Sequence, residues 1–116
     1  MPKQKLSPLP AAAFQILLAL AGEDLHGYGI MRNVAQQTAG RMRLGPGTLY
    51  SSIRALLEEK LIEEVDPPRD LSAVHARRRY YRLTATGRKL ARYEAERLAD
   101  LLRVARSKKI LRGDYV

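Results

Sequence analysis

Two short segments rich in β-forming residues, residues 61–66 and 77–83, restrict the folds open to this chain more than any other part of it. Pro67 and Pro68 stop the first segment, and a loop leads to the second. A strand, a loop and a returning strand form a hairpin. Because this hairpin directly follows a helical segment, the sequence predicts the wing of a winged helix-turn-helix unit.

Helix start and stop signals predict three helices before the hairpin. The first opens at Pro8, after a serine cap, and ends at Gly22. A second, short amphipathic helix covers residues 31–39, where apolar side chains recur at helical spacing. The third begins at Pro46 with Gly45 as its cap, since proline suits the first helical position. The order is helix, helix, helix, strand, strand.

A long helix follows the wing, capped by Thr84 and running over residues 85–108. The predicted fold class is therefore mainly α with a small two-stranded β wing, a winged helix-turn-helix plus a long C-terminal dimerisation helix. Residues 1–84 form the DNA-binding domain in this interpretation, and residues 109–116 form a flexible tail.

The net charge of +9 favours a polyanionic partner. Residues 1–40 carry three basic against two acidic side chains, residues 41–83 nine against six, and residues 84–116 nine against four. The positive charge therefore lies mostly in the second half. Charge alone leaves DNA, RNA and anionic membrane open as partners.

The absence of cysteine excludes disulfides and thiol chemistry and favours a reducing cytoplasm. The longest apolar run, residues 11–21, contains Gln15 and is too short to cross a bilayer, so no membrane partner is expected.

The third helix is the expected recognition helix, because a helix before a wing enters the major groove of DNA. Its leading turn is slim and carries hydroxyl groups in place of the usual Glu and Lys. The residues expected to contact DNA are Pro46, Gly47, Thr48, Tyr50, Ser51 and Arg54. Whether Arg54 reaches a base or a phosphate is left open.

The wing holds the densest charge, with five arginines against Asp70 over residues 69–82. Such charges grip phosphates without reading sequence. The expected phosphate-contacting set is Tyr28, Arg69, Arg77, Arg78 and Arg79, with Arg82 counted in the wing charge. Tyr28 has two compatible interpretations, a packed ring or a phosphate-contacting hydroxyl.

Four blocks of sequence together resemble the PadR family of regulators. They are HGYGI at residues 26–30, LGPGTLY at 44–50, LLEEKLI at 56–62 and RYYRLTATG at 79–87. The resemblance covers residues 17–87 and implies a winged-helix repressor that binds a near-palindromic operator as a dimer. It also implies that the C-terminal helix packs against the N-terminal helix of a second copy, as in the compact members of the family.

Two positions and one feature of the composition depart from the family pattern. Gly45 stands where a serine is common, and Ala76 stands where a glycine often precedes the basic wing. The chain also has no tryptophan, the residue that some members use to bind planar aromatic compounds. Release by a small-molecule effector is an open expectation.

Both terminal helices carry apolar side chains beyond what a small domain needs, which indicates a homodimer. The expected interface residues are Phe14, Leu17, Leu18, Tyr93, Leu98, Leu101, Leu102 and Ala105.

Two other functions compete with sequence-specific regulation. A non-specific basic nucleic-acid-binding protein would share the charge but show no preferred sequence, and a protein-interaction module would bind an acidic partner instead. No nucleophile–base pair, metal cluster or phosphate loop appears, so no enzyme activity, metal or cofactor is expected.

Overall fold

The computed structural model describes residues 9–68 and 78–112. Within them, the elements in chain order are α1 (Ala11–Gly22), β1 (Leu25–His26), α2 (Gly27–Gln37), α3 (Pro46–Glu58), β2 (Ile62–Val65), β3 (Tyr80–Leu83) and α4 (Ala85–Ser107). The mainly helical winged-helix fold with a small β wing is confirmed.

The starts of α3 and α4 follow their local signals. Pro46 is the first residue of α3 and Gly45 its extended N-cap, as expected. The hydroxyl oxygen of Thr84 accepts a hydrogen bond from the amide of Gly87 at 3.0 Å, so Thr84 caps α4. By contrast, α1 begins at Ala11, because Pro10 disfavours helical backbone at the residue before it.

α2 begins four residues earlier than its apolar spacing predicts. Two glycines occupy its first turn, and both are buried. A Cβ on Gly27 would lie 2.9 Å from the hydroxyl oxygen of Tyr50, and one on Gly29 would lie 3.0 Å from the ring of His26. The helix therefore starts at two glycines, despite their low helix propensity, because only glycine leaves room for the side chains of Tyr50 and His26.

The sheet has three strands in the order β1-β3-β2, where two were expected. β1 pairs antiparallel with β3 through Leu25 opposite Tyr81 and His26 opposite Tyr80. Two residues are too few to show a strand periodicity, which is why the sequence interpretation placed Leu25 in a linker. β3 is also shorter than the predicted residues 77–83, since it begins at Tyr80.

α1 is the central helix of the core. It packs against α2, α3, β3 and the start of α4. Ile16 and Leu17 have no exposed surface, and Phe14 is also buried. The expectation that Phe14 and Leu17 face a second copy is therefore wrong for this chain, because both fill its own interior. Leu18, on the outer side of α1, is exposed.

α4 leaves the domain after its first turns. Its buried residues are Gly87, Ala91 and Glu94, all in the first half of the helix. Leu98, Leu101 and Leu102 are exposed beyond them. No helix in the described residues is both long and apolar enough to cross a membrane.

The chain past α4 is described as far as residue 112. The amide of Ile110 donates to the carbonyl of Ala105 at 2.9 Å, and Lys109 adopts a positive φ of 62°, which closes the helix with a turn. The predicted flexible tail, residues 109–116, lies partly outside the described residues and stays a prediction.

Candidate nucleic-acid interface

α3 has one buried face and one open face. Leu49, Ile53 and Leu56 are buried against the core. At 100° per residue, Gly47, Ser51 and Arg54 lie on the opposite side of the helix, and all three are exposed. The hydroxyl of Ser51 donates to the carbonyl of Thr48 at 3.2 Å, which leaves its lone pairs as acceptors. The open face thus combines small size with hydrogen-bonding groups.

The leading turn of α3 stands clear of the rest of the protein. A Cβ on Gly45 or Gly47 would meet nothing within 4 Å. No side chain caps this helix, and the amides of Gly47 and Thr48 precede that of Leu49, the first amide that donates within the helix. These features suit close approach to an anionic backbone.

A concave pocket of about 330 Å³ lies beside α3, between the start of α2 and the base of the wing. It brings together four of the residues predicted to contact DNA, Tyr28, Tyr50, Arg78 and Arg79. Its remaining lining residues are His26, Gly27 and Tyr81, and we call it the wing pocket. Tyr28 and Tyr50 are more than half exposed, so each presents part of its side chain to the solvent.

The charge of the wing is smaller than its arginine count suggests. Arg82 donates two hydrogen bonds to Asp24, at 2.7 and 3.1 Å, which join β3 to the segment before β1 and raise the pKa of Arg82. Arg79 lies 3.7 Å from a carboxylate oxygen of Glu64 in β2. Arg82 is thus an internal tether rather than part of the phosphate-gripping charge that the sequence interpretation assigned to it.

His26 organises the floor of the wing pocket. Its ring stacks on Tyr80 with centroids 5.2 Å apart, and it meets Tyr28 edge-on at 6.3 Å. Its Nε2 contacts a guanidinium nitrogen of Arg78. The sequence predicts a structural helix-start role for His26, and it is indeed the N-cap of α2, although its side chain makes no capping hydrogen bond.

Tyr81 forms one wall of the same pocket. Burial and the nearby charge of Glu64 raise the pKa of its phenol, while Arg79 lowers it. The net effect is a raised pKa, so the phenol is neutral near pH 7.

Arg32 and Arg43 were missed by the sequence interpretation. They line a second cleft of about 210 Å³, which shares Tyr28 with the wing pocket. Arg32 lies four residues after Tyr28 on one helix, and this spacing is the signal that could have found it. Arg69 and Arg77, also predicted to bind phosphate, lie outside the described residues.

The exposed apolar side chains of α4 form a separate surface. At 100° per residue, Leu98, Leu101, Leu102 and the half-buried Ala105 continue the face that begins with the buried Ala91. Tyr93 is 58% exposed but lies about 140° around the helix from Leu98. It therefore flanks this surface rather than lying within it.

No metal site is found in the part of the chain that the structure describes, since no group of three or more His, Cys, Asp or Glu side chains could hold an ion there.

Comparisons with known proteins agree with this geometry. The profile of the transcriptional regulator PadR-like family matches residues 16–93. A curated relative, an uncharacterized 37.1 kDa protein of a Streptomyces fradiae transposon, is 36% identical over 90 residues, which are 78% of this chain. This chain spans only 24% of that relative's length.

Solved structures share the architecture. A transcriptional regulator from Clostridium thermocellum is 26% identical with a TM-score of 0.68, over 83% of this chain and 87% of that one. A PadR family regulator from Clostridium difficile is 23% identical with a TM-score of 0.67, over 84% and 97% of the two chains. A PadR-like regulator from Bacillus cereus is 20% identical with a TM-score of 0.69, over 97% and 100%.

Proposed function

This chain belongs to the PadR-like family of transcriptional regulators, which implies DNA-binding regulation, and from that premise we propose that it is a repressor that binds a pseudo-palindromic operator as a homodimer. The observation that carries the proposal is the open face of α3. It is slim, uncharged at its leading turn and adjacent to a pocket with two arginines and two exposed tyrosines.

Base reading falls to the open face of α3 in this proposal. Ser51 and Arg54 lie on the side that enters the major groove, where hydroxyl and guanidinium groups can pair with base edges. Pro46, Gly47 and Thr48 form the leading turn that fits the groove and meets the backbone. Arg54 forms no ion pair within residues 9–68 and 78–112, so its guanidinium is available for this contact.

Phosphate contacts fall to the wing pocket. Tyr28, Tyr50, Arg78 and Arg79 converge there beside α3 and would fix the register of the helix on the duplex. Arg69 and Arg77, which lie outside the described residues, stay predicted phosphate contacts. Such contacts add affinity that falls steeply with salt, because bound arginines release counterions.

The homodimer is proposed to form through α4. Its apolar face is continuous from the core to Leu101 and Leu102, and the domain itself leaves the second half uncovered. A second copy is the partner that matches an apolar surface of this kind and gives the two-fold symmetry of a palindrome. Ala105 lies on the same face of α4, Tyr93 flanks it, and the exposed Leu18 of α1 is proposed to join the interface. Release by a small-molecule effector stays a prediction.

Selection of bound duplexes from a random-sequence pool tests the proposal. We expect an enriched palindrome whose half-sites are about one helical turn apart, bound in the nanomolar range. A pool that yields binding but no enriched sequence would instead favour the non-specific nucleic-acid binder. Binding to no duplex at physiological salt would favour the module for an acidic protein.

Two classes of variant separate the proposed roles. Ser51→Ala and Arg54→Ala should change the preferred base at individual operator positions, whereas Arg78→Ala and Arg79→Ala should weaken all duplexes similarly. Arg92→Ala is the matched control, because Arg92 is an exposed arginine of α4 that lies outside its apolar face, about 120° around the helix from Leu98. If both classes behaved alike, the division between base and phosphate contacts would be wrong.

A further inference from the structure

The second cleft beside Tyr28, here called the α2 cleft, lies between the outer side of α2 and the segment that leads into α3. Its walls are Tyr28, Met31, Arg32 and Ala35 from α2, with Arg43 and Leu44 from the loop. Leu44 immediately precedes Gly45, the N-cap of α3. The cleft therefore opens next to the leading turn of the proposed recognition helix.

The described lining of the α2 cleft is basic and contains no carboxylate. Arg32 and Arg43 are both exposed, and neither pairs with a carboxylate in residues 9–68 or 78–112. The guanidinium carbon of Arg32 lies 5.9 Å from the ring centroid of Tyr28. Two unneutralised guanidinium groups in one cleft favour an anion with several acceptor oxygens.

The backbone around the cleft holds Arg43 in place. Gly40 has a φ of +78°, and a Cβ there would lie 3.3 Å from Nη2 of Arg43, so the guanidinium folds back over this glycine. The hydroxyl of Thr38 donates to the carbonyl of Val34 at 2.8 Å and accepts from the amide of Met42 at 3.0 Å. These bonds fix the backbone of the turn that carries Arg43.

The α2 cleft and the wing pocket share Tyr28 as a common wall. Basic groups therefore follow one another from Arg78 and Arg79, past Tyr28, to Arg32 and Arg43. Phosphates of a DNA strand are likewise spaced in a row along the duplex. In helix-turn-helix proteins the helix before the recognition helix crosses this backbone.

We propose that the α2 cleft binds a second backbone phosphate of the same duplex, with Arg32 and Arg43 as donors to its oxygens. The inference rests on the proposed DNA-binding function and extends the contact from the wing pocket to the far side of Tyr28. α3 is then held by phosphates on both flanks.

Salt-dependent binding of the full chain tests the cleft. The probes are the selected operator and a random-sequence duplex of roughly two helical turns. We expect Arg32→Gln and Arg43→Gln each to weaken binding of both probes about tenfold per bound subunit. The slope of log affinity against log salt should fall by about 0.9 per subunit, or about 1.8 for a bound dimer. Arg92→Gln removes the same charge from α4 and should leave the slope unchanged.

The outcomes separate the two proposals. If the wild-type chain binds both duplexes, and Arg32→Gln and Arg43→Gln keep its affinity and salt slope, the phosphate site in the α2 cleft is refuted while the proposed function stands. If the wild-type chain binds neither duplex, both are overturned. Both side chains are exposed, so the two variants should keep the thermal unfolding midpoint of the wild type. An unchanged midpoint shows that a loss of DNA affinity does not come from misfolding.

A phosphate scan gives an independent measurement. Operators that carry one uncharged methylphosphonate linkage at successive positions should reveal a linkage whose neutralisation weakens the wild-type chain about tenfold. The same linkage should have little further effect on the double variant Arg32→Gln/Arg43→Gln, because both donors to the phosphate are already lost. A scan in which every linkage affects both proteins equally would refute a specific phosphate in the cleft.

Discussion

Replacement of Gly87 by alanine should strongly destabilise the fold, although the new residue is the better helix former. Gly87 lies in the first turn of α4, where the helix packs against the turn between α3 and β2. An added Cβ would lie 1.9 Å from the carbonyl oxygen of Leu61 and 2.8 Å from Cδ1 of Leu83. The nearest obstacle is therefore backbone, which has no rotamer that could relieve the clash.

The magnitude follows from the distances. A carbon atom needs about 3.3 Å from a carbonyl oxygen, so α4 and Leu61 must separate by about 1.4 Å. The Leu61 carbonyl accepts from the amide of Thr84 at 3.1 Å, and that bond weakens as the two separate. Overpacking lowers the free energy of unfolding by about 3 kcal/mol at the upper end of its range, and the weakened hydrogen bond lowers it by about 1 kcal/mol. Since alanine gains about 1 kcal/mol in helix propensity, the net loss is about 3 kcal/mol.

Urea unfolding followed by far-ultraviolet circular dichroism measures this loss. We expect a lower midpoint with an unchanged slope, and a thermal midpoint lower by at least about 10 °C. Gly47→Ala is the matched control, because a Cβ there meets nothing within 4 Å, and it should stabilise by about 0.4–1 kcal/mol. A Gly87→Ala variant that unfolds at the wild-type urea concentration would refute the close contact with Leu61.

Three further predictions concern ion pairs and the dimer. The double variant Asp24→Asn/Arg82→Gln should lower the urea midpoint by less than the sum of the two single variants, because each substitution removes the same ion pair. A double variant whose loss equals that sum would contradict the tether. Arg97 donates a hydrogen bond to Glu94 and lowers the pKa of that carboxyl group. The pair therefore stabilises the folded state at pH values above the ordinary glutamate pKa, and this stabilisation is lost as the pH falls through the lowered pKa. The midpoint difference between the wild type and Glu94→Gln should thus shrink between about pH 7 and about pH 3, and a constant difference would contradict it. Leu101→Glu should convert the proposed dimer to monomer in sedimentation experiments while circular dichroism keeps the folded signal, and a variant that still sediments as a dimer would argue against α4 as the interface.

Elements with a chemical start signal were predictable from the sequence. Proline at the first position of α3 and the threonine cap of α4 act within a few residues, so Pro46 and Thr84 could be identified without tertiary information. The open face of α3 was also predictable, because the spacing of its apolar residues determines which side of the helix is buried.

Features that depend on distant partners were not predictable. β1 exists because Leu25 and His26 meet β3, and two residues carry no pattern of their own. α1 is apolar on several sides, and this pattern fits both a central core helix and a dimer helix, which is why Leu17 was assigned to the wrong surface. A count of wing charges likewise could not show that Arg82 is paired with Asp24.

The junction at Thr84 has a geometric consequence for any duplex that two copies would share. Thr84 is bonded to the carbonyls of Lys60 and Leu61, and the buried residues of α4 lie between Gly87 and Glu94, so the direction of the helix is set by its first half. Its 23 residues span about 34 Å. A tilt of about 10° at this pivot displaces the far tip by about 6 Å, nearly two base-pair steps of DNA. Small changes around the pivot would therefore alter which half-site separation a dimer can bridge, even with every base-reading side chain unchanged.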